Sequence, residues 1–200
     1  MKSKNALIVF QKNLVSGKVK TRLAKALGDA EALKIYISLV SYTRYIIDEL
    51  NCDKFIFYSD YIEQNDDWKH GYNKAVQEGK DLGERMSNAF GTALQNGYEK
   101  VIVIGTDCPM LTAEIVNEAF KKLNKSDVAI GASADGGYYL LGMKKLHTFL
   151  FQNIAWSTPS VFASTVSECK KHNLSYHILP TLHDVDEETD LSHMKHILHD

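Results

Sequence analysis

The sequence predicts one α/β domain built on a mainly parallel sheet. Three observations carry this reading. Short apolar, β-branched runs alternate along the chain with segments of helical spacing. The clearest run, Lys100–Gly105 (Lys-Val-Ile-Val-Ile-Gly), lacks polar alternation and reads as a central strand covered on both faces. The 200 residues contain no repeat, linker or low-complexity tract. That length suits a single core, because cores stop growing near roughly 250–300 residues.

Taken in order, Ala6–Phe10 reads as a buried first strand. Val19–Leu27 reads as a short helix closed by Gly28. Ala30–Leu50 is a longer helix with Asp29 as its cap, Glu31 in its first turn and an apolar stripe of Leu33, Ile37, Val40, Ile47 and Leu50. Lys54–Ser59 is the second strand. Asp60–Gly83 is polar and aromatic and reads as irregular around a short strand near Ala75–Gln77. Glu84–Gln95 is a helix ended by Gly97. Thr112–Leu123 is a helix capped by Thr112. Val128–Gly131 and Tyr138–Met143 are strands on either side of Asp135-Gly136-Gly137. Thr158–Lys171 is a helix with Pro159 at its first position, where proline is tolerated. Tyr176–Leu179 and Glu187–Leu198 read as a last strand and a last helix.

Composition narrows the partners. The chain is 44% hydrophobic and 24% charged, which is ordinary for a globular domain. Its net charge of −2 argues against duplex nucleic acid or an anionic membrane, which select clustered Lys and Arg. No apolar run approaches the roughly 20 residues that span a bilayer, and the run after Asn5 is too short for a signal-peptide core. Cys52, Cys108 and Cys169 are odd in number and widely spaced, as expected of a reducing compartment rather than of a disulfide framework or structural zinc site. A cytoplasmic location is therefore expected.

The candidate chemistry lies after strands, where open α/β sheets hold ligands. The loop after the first strand carries Lys12, Gly17, Lys18, Lys20 and Arg22. Glycine lets backbone N–H groups approach a phosphate, and a helix start adds partial positive charge. Basic residues there oppose the helix dipole, a conflict that an anionic ligand reverses. A solvated basic helix start explains the same residues without a ligand. Asp107 ends the central strand, followed by Cys108 and Pro109. A lone carboxylate there suits Mg²⁺ or Mn²⁺, which are held by one or two carboxylates plus substrate phosphates. An Asx turn before the next helix is the plainer alternative. Asp184 and Asp186 fall on one side of an extended segment, so one of them could complete the metal site. Alternatively, Asp186 or Asp190 caps the last helix.

Asp135, Gly136 and Gly137 suggest a backbone passing close to a ligand or another strand, with Asp135 offered to substrate hydroxyls. Gly83 and Arg85 begin a helix from which Arg85 could reach a phosphate while Glu84 caps. Trp156 and Ser157 could line an acceptor side. His193, His196 and His199 have helical spacing and read as a solvated terminal helix. Cys108 has no assignable histidine partner and is not read as a nucleophile.

Five segments together resemble a known family: Gly-Lys-Val-Lys-Thr-Arg-Leu-Ala (17–24), Gln-Glu-Gly-Lys-Asp-Leu-Gly-Glu-Arg-Met (77–86), Ile-Gly-Thr-Asp-Cys-Pro-Met-Leu (104–111), Asp-Gly-Gly-Tyr-Tyr-Leu-Leu-Gly (135–142) and Asp-Val-Asp-Glu-Glu-Thr-Asp-Leu (184–191). The chain resembles the GT-A-like transferases described as glycosyltransferase-like proteins associated with radical-SAM/selenodomain proteins. These are relatives of the phospholactate and molybdenum-cofactor guanylyltransferases. The resemblance implies a single-domain, three-layer α/β/α fold of the nucleotide-diphospho-sugar transferase type, with a mainly parallel mixed sheet. It implies that Lys20 and Arg22 meet phosphates, that Asp107 holds Mg²⁺ or Mn²⁺, and that Asp186 is the second ligand. The partners it implies are a nucleotide or nucleotide-sugar and a small-molecule acceptor. One departure stands out: Lys12-Asn13-Leu14-Val15-Ser16 occupies a stretch where related sequences often carry prolines, so a less stiff loop is expected. The fold serves both sugar transfer and nucleotidyl transfer, and a non-catalytic nucleotide-binding protein is a third possibility.

Overall fold

The computed structural model describes residues 4–68, 70–195 and 197. Seven strands form one sheet: β1 Asn5–Gln11, β2 Asp53–Tyr58, β3 Asn73–Val76, β4 Lys100–Ile104, β5 Val128–Ser133, β6 Tyr138–Met143 and β7 Tyr176–Leu182. Their order across the sheet is β3-β2-β1-β4-β6-β5-β7. Only β6 runs antiparallel to its neighbours, β4 and β5.

The central strands are apolar on both sides because both faces are covered. In β1, Leu7 and Val9 enter one core cluster while Ala6 and Ile8 enter the other; β4 divides Ile102 and Ile104 from Val101 and Val103 in the same way. Helices α1 (Thr21–Leu27), α2 (Asp29–Asp48) and α4 (Ala113–Lys122) cover the Leu7 face. Helices α3 (Leu82–Gln95) and α5 (Val161–Lys171), with a 3₁₀ turn at Thr148–Phe151, cover the Ala6 face. The expected three-layer arrangement is therefore present. Among the described residues no helix is long and apolar enough to cross a membrane.

Several boundaries differ from the sequence reading, each for a local reason. Helix α1 starts at Thr21, not Val19, because Lys20 is left-handed. Helix α2 takes Asp29 into its first turn and leaves Gly28 at the cap. Its buried stripe is Ala32, Ile35, Tyr36, Leu39, Val40, Thr43, Ile46 and Ile47, while Ile37 is exposed. Counting from Ala32 gives the ridge that meets the sheet, and Leu33 and Ile37 belong to the next ridge round the helix.

Helix α3 begins two residues early because Asp81, not Glu84, caps it. Asp81 accepts the Glu84 N–H at 2.8 Å, and the Glu84 carboxylate accepts the Lys80 N–H at 2.7 Å. The cap at Thr112 is as expected, with the Thr112 hydroxyl accepting the Ile115 N–H. Pro159 lies before α5 rather than in its first turn. Strand β7 continues through Pro180 because it is an edge strand, where a missing N–H is tolerated. The last helix is a 3₁₀ segment, Glu188–Met194; His196, Leu198 and His199 lie outside the described residues.

The β2–β3 connection crosses over without a helix. Trp68 anchors it, buried and donating from Nε1 to the Gln11 side-chain oxygen at 2.8 Å.

The turn between β5 and β6 resolves the question raised by its glycines. Gly136 has φ 89° and lies so close to Pro159 that a Cβ would overlap the Pro159 carbonyl. Its own carbonyl accepts the Phe162 N–H at 2.9 Å. The close approach is to backbone. Gly136→Ala should therefore destabilise the fold by about 1–3 kcal/mol from strain and overpacking. That is a fall in Tm of several degrees at this chain length. Thermal unfolding checks it, and an unchanged Tm would show that the turn can yield.

Candidate functional site

The site lies beyond the carboxyl ends of the parallel strands and is built around one buried cation. Lys20 sits between β1 and α1 with φ 46° and ψ 47°. A left-handed conformation in a non-glycine residue costs roughly 1–2 kcal/mol. The turn drives the side chain inward until it is 4% exposed. Its Nζ forms an ion pair with Asp107 Oδ1 and lies 3.2 Å from Asp186 Oδ1. Both carboxylates are 44% exposed, so the cation lies beneath and the anions face solvent. Burial alone would lower the Lys20 pKa, but Asp107 and Asp186 overcome it and the net shift is upward. The amine stays charged.

Other contacts place the three groups. Asp107 follows β4, and its carbonyl accepts the Val185 N–H at 3.0 Å, tying the two acidic segments together through backbone. The neighbouring Thr106 hydroxyl is 2.9 Å from the Tyr36 hydroxyl, which accepts the Lys12 N–H at 2.9 Å. The Tyr36 ring centre is 6.0 Å from Lys20 Nζ, within cation–π range. Helix α2 thus links the start of the basic loop to the end of β4.

The question of the last cap is also answered. Asp190 accepts the N–H groups of Asp186 and Glu187 at 3.0 and 2.8 Å, and Glu187 caps the 3₁₀ segment in return. The Asp186 carboxylate is left for Lys20. Asp184 turns instead to Ser133, whose hydroxyl donates to Oδ2 at 2.8 Å. Its Oδ1 is buried without a hydrogen-bond partner.

The loop after β1, which lacks prolines, is hydrogen-bonded at Asn13. Asn13 Oδ1 accepts from the Ser59 hydroxyl and from the N–H groups of Asp60 and Tyr61. Its Nδ2 donates to the Tyr61 carbonyl at 2.9 Å, and its N–H to the Ser59 hydroxyl. Hydrogen bonding from Asn13 thus ties the start of this loop to the segment after β2.

The remaining candidates have other surroundings. Lys12, Gly17, Lys18 and Arg22 are exposed on the loop and at the start of α1. The Arg85 Nε donates to the Gly79 carbonyl at 3.2 Å, so its first task is to brace the loop before α3. Gly83 is buried beneath the Trp156 ring, which would overlap any Cβ there. Trp156 in turn meets Tyr138 edge-on. Both residues therefore have packing roles. Ser157 is exposed with φ 62°. Asp135 is exposed and holds its own turn through the Gly137 N–H at 2.9 Å. The thiol of Cys108 is buried and pushed up to about 12 by burial and by Asp184, in keeping with no nucleophilic role. Sequence reading missed Tyr36, Ser133 and Thr106. The serine and threonine adjoin strand ends, which was the available signal.

Among the described residues no three His, Cys, Asp or Glu side chains gather to hold a metal ion. The hard oxygen pair of Asp107 and Asp186, open to solvent, fits Mg²⁺ or Mn²⁺ only when substrate oxygens complete the shell.

Burial, with Asp107 adding to it, pushes the Asp184 carboxyl up to about 7. The folded state therefore binds this proton more tightly than the unfolded chain, so stability is lost as pH rises from about 4 to about 7. Asp184→Asn keeps an acceptor for Ser133 and carries no charge. It should raise Tm at pH 8 in EDTA and bring no gain at pH 4. A difference that does not vary with pH would rule out this account.

Comparison with known proteins places the chain. A crystal structure from Desulfovibrio desulfuricans G20, provisionally described as a nucleotide-diphospho-sugar transferase, is 33% identical. The match has a TM-score of 0.87 and covers 92% of this chain and 83% of that one. A CMP:2-keto-3-deoxy-manno-octonic acid synthetase complexed with CTP shares the fold at 9% identity and TM-score 0.60, covering 98% of each chain. So does the inositol-1-phosphate CTP transferase from T. maritima, at 15% identity and TM-score 0.59, covering 98% and 96%. No curated protein matches. Residues 44–158, more than half of the chain and including Asp107, match the family described as "Uncharacterized protein conserved in bacteria (DUF2064)", and the protein belongs to that family.

Proposed function

We propose that the protein is a metal-dependent transferase acting on a nucleotide-activated substrate, in the manner of a glycosyltransferase. A nucleotide-sugar gives its sugar to a small-molecule acceptor, and the nucleoside diphosphate leaves with the bonding electron pair. The observation that carries the reading is the contact of Lys20 with both Asp107 and Asp186 beyond the ends of β1, β4 and β7. It sets a cation and two open carboxylates where α/β sheets bind ligands. The 33%-identical relative supports sugar transfer.

Asp107 and Asp186 would hold Mg²⁺ or Mn²⁺, whose chemistry there is to offset charge on phosphate oxygens as the bond to the leaving group breaks. Lys20 and Arg22 stabilise the same charge from the loop, with Lys12, Lys18, Gly17 and Arg85 around it. Asp135 and Ser157, exposed near the turn, are the groups offered to the acceptor.

Nucleotidyl transfer is the second reading: a nucleoside triphosphate joins a phosphorylated small molecule and releases pyrophosphate. It needs the same charges on the same phosphates, and the two CTP-linked neighbours favour it. Assays with nucleotide-sugars and nucleoside triphosphates in Mg²⁺ or Mn²⁺ separate the readings, since one releases nucleoside diphosphate and the other pyrophosphate. Binding without turnover for any acceptor would indicate a non-catalytic nucleotide-binding protein. In either enzymatic case Asp107→Ala should lower kcat by about 10²–10³-fold, as loss of a preorganised charge does, while the thermal transition stays cooperative. Wild-type turnover in that variant would refute the metal role.

A further inference from the structure

We propose that Lys20 is a displaceable internal cation that makes metal binding conditional on a phosphate-bearing substrate. The inference rests on the metal role assigned to Asp107 and Asp186 above, and deepens it. Nζ contacts Oδ1 of Asp107 and lies 3.2 Å from Oδ1 of Asp186. Those two oxygens are the ones that would hold a divalent ion, and the same ammonium contacts both. The ammonium fills that position and, being charged, repels a second cation from it. Metal can take both oxygens only when Nζ moves.

A diphosphate gives Nζ somewhere to go. Lys20 belongs to the exposed basic loop, flanked by Lys18 and Arg22, and its head lies just beneath carboxylates that are open to solvent. Phosphate oxygens arriving on the loop compete with Asp107 and Asp186 for the ammonium. As Nζ turns to them, two carboxylates with no internal counter-ion remain. Phosphate then favours metal, and by linkage metal favours phosphate by the same factor.

The test is Mn²⁺ affinity, read by the loss of free-ion EPR signal without nucleotide. Wild type should bind Mn²⁺ weakly, and Lys20→Met at least about tenfold more tightly, within the range of about 5- to 150-fold usual for coupled sites. Lys25→Met removes an exposed charge on α1 and should change affinity by less than about twofold, which separates the gate from a net-charge effect. Lys20→Gln serves if Lys20→Met does not fold. In wild type alone, Mn²⁺ together with inorganic pyrophosphate should raise Tm by more than the sum of the two separately. Equal Mn²⁺ affinity in wild type and both Lys20 variants, abolished in each by Asp107→Asn, overturns the gate and leaves the metal role intact. Mn²⁺ binding that Asp107→Asn does not weaken, or no binding in any variant, overturns the metal role and the gate with it.

Discussion

A buried ammonium shared by two carboxylates organises this end of the molecule. A lone charge that is almost wholly covered is strongly unfavourable, and pairing is what makes burial of Lys20 tolerable. The pairing joins three chain segments that come together only in the folded state: the loop after β1, the turn after β4 and the segment after β7. The Asp107 carbonyl bonded to the Val185 N–H and the Tyr36 hydroxyl beside Thr106 keep those segments in register. Removing Lys20 takes this counter-charge from both carboxylates, and removing either aspartate leaves the buried ammonium with a single partner, so function and local stability are coupled here.

The sheet explains why the charges meet where they do. Strands β1 and β4 are parallel neighbours, and β7 lies parallel beside β5. Their outgoing loops therefore rise at the same end. The antiparallel β6 between β4 and β5 brings the Asp135–Gly137 turn to that end as well, close enough for Asp135 to contribute to the shifted Asp184 carboxyl. The phosphate-handling and acceptor sides of the proposed site thus share one rim, laid on two continuous apolar layers.

Much of this was legible in the sequence, for physical reasons. Unbroken apolar runs announce strands covered on both faces, and Lys20 and Asp107 were visible because they follow such runs, whereas Asp186 follows the partly exposed edge strand β7 and was visible only through its acidic neighbours. What could not be read locally was partnership. The resemblance singled out Lys20 and Arg22 together, and only the left-handed turn separates them, burying Lys20 and leaving Arg22 exposed. Tyr36 belongs to an ordinary helical stripe, and nothing in that spacing says where its hydroxyl ends. Gly136 did signal close approach, and the approaching group is the Pro159 backbone; Gly83 gave no such signal and lies under the Trp156 ring. Asn13 looked like an absence of proline and turned out to be a hydrogen-bonding clamp.

The backbone at Lys20 has a further consequence. A position in the left-handed region favours glycine or asparagine, yet this one holds a residue whose long charged chain is needed below the surface. Conformational ease and chemistry therefore ask for different amino acids at one site. A change to glycine there would relax the backbone and at the same time take the counter-charge from Asp107 and Asp186, so the two effects on stability oppose each other while the site is lost. Stabilising this protein for use has to begin elsewhere, on surfaces remote from the rim.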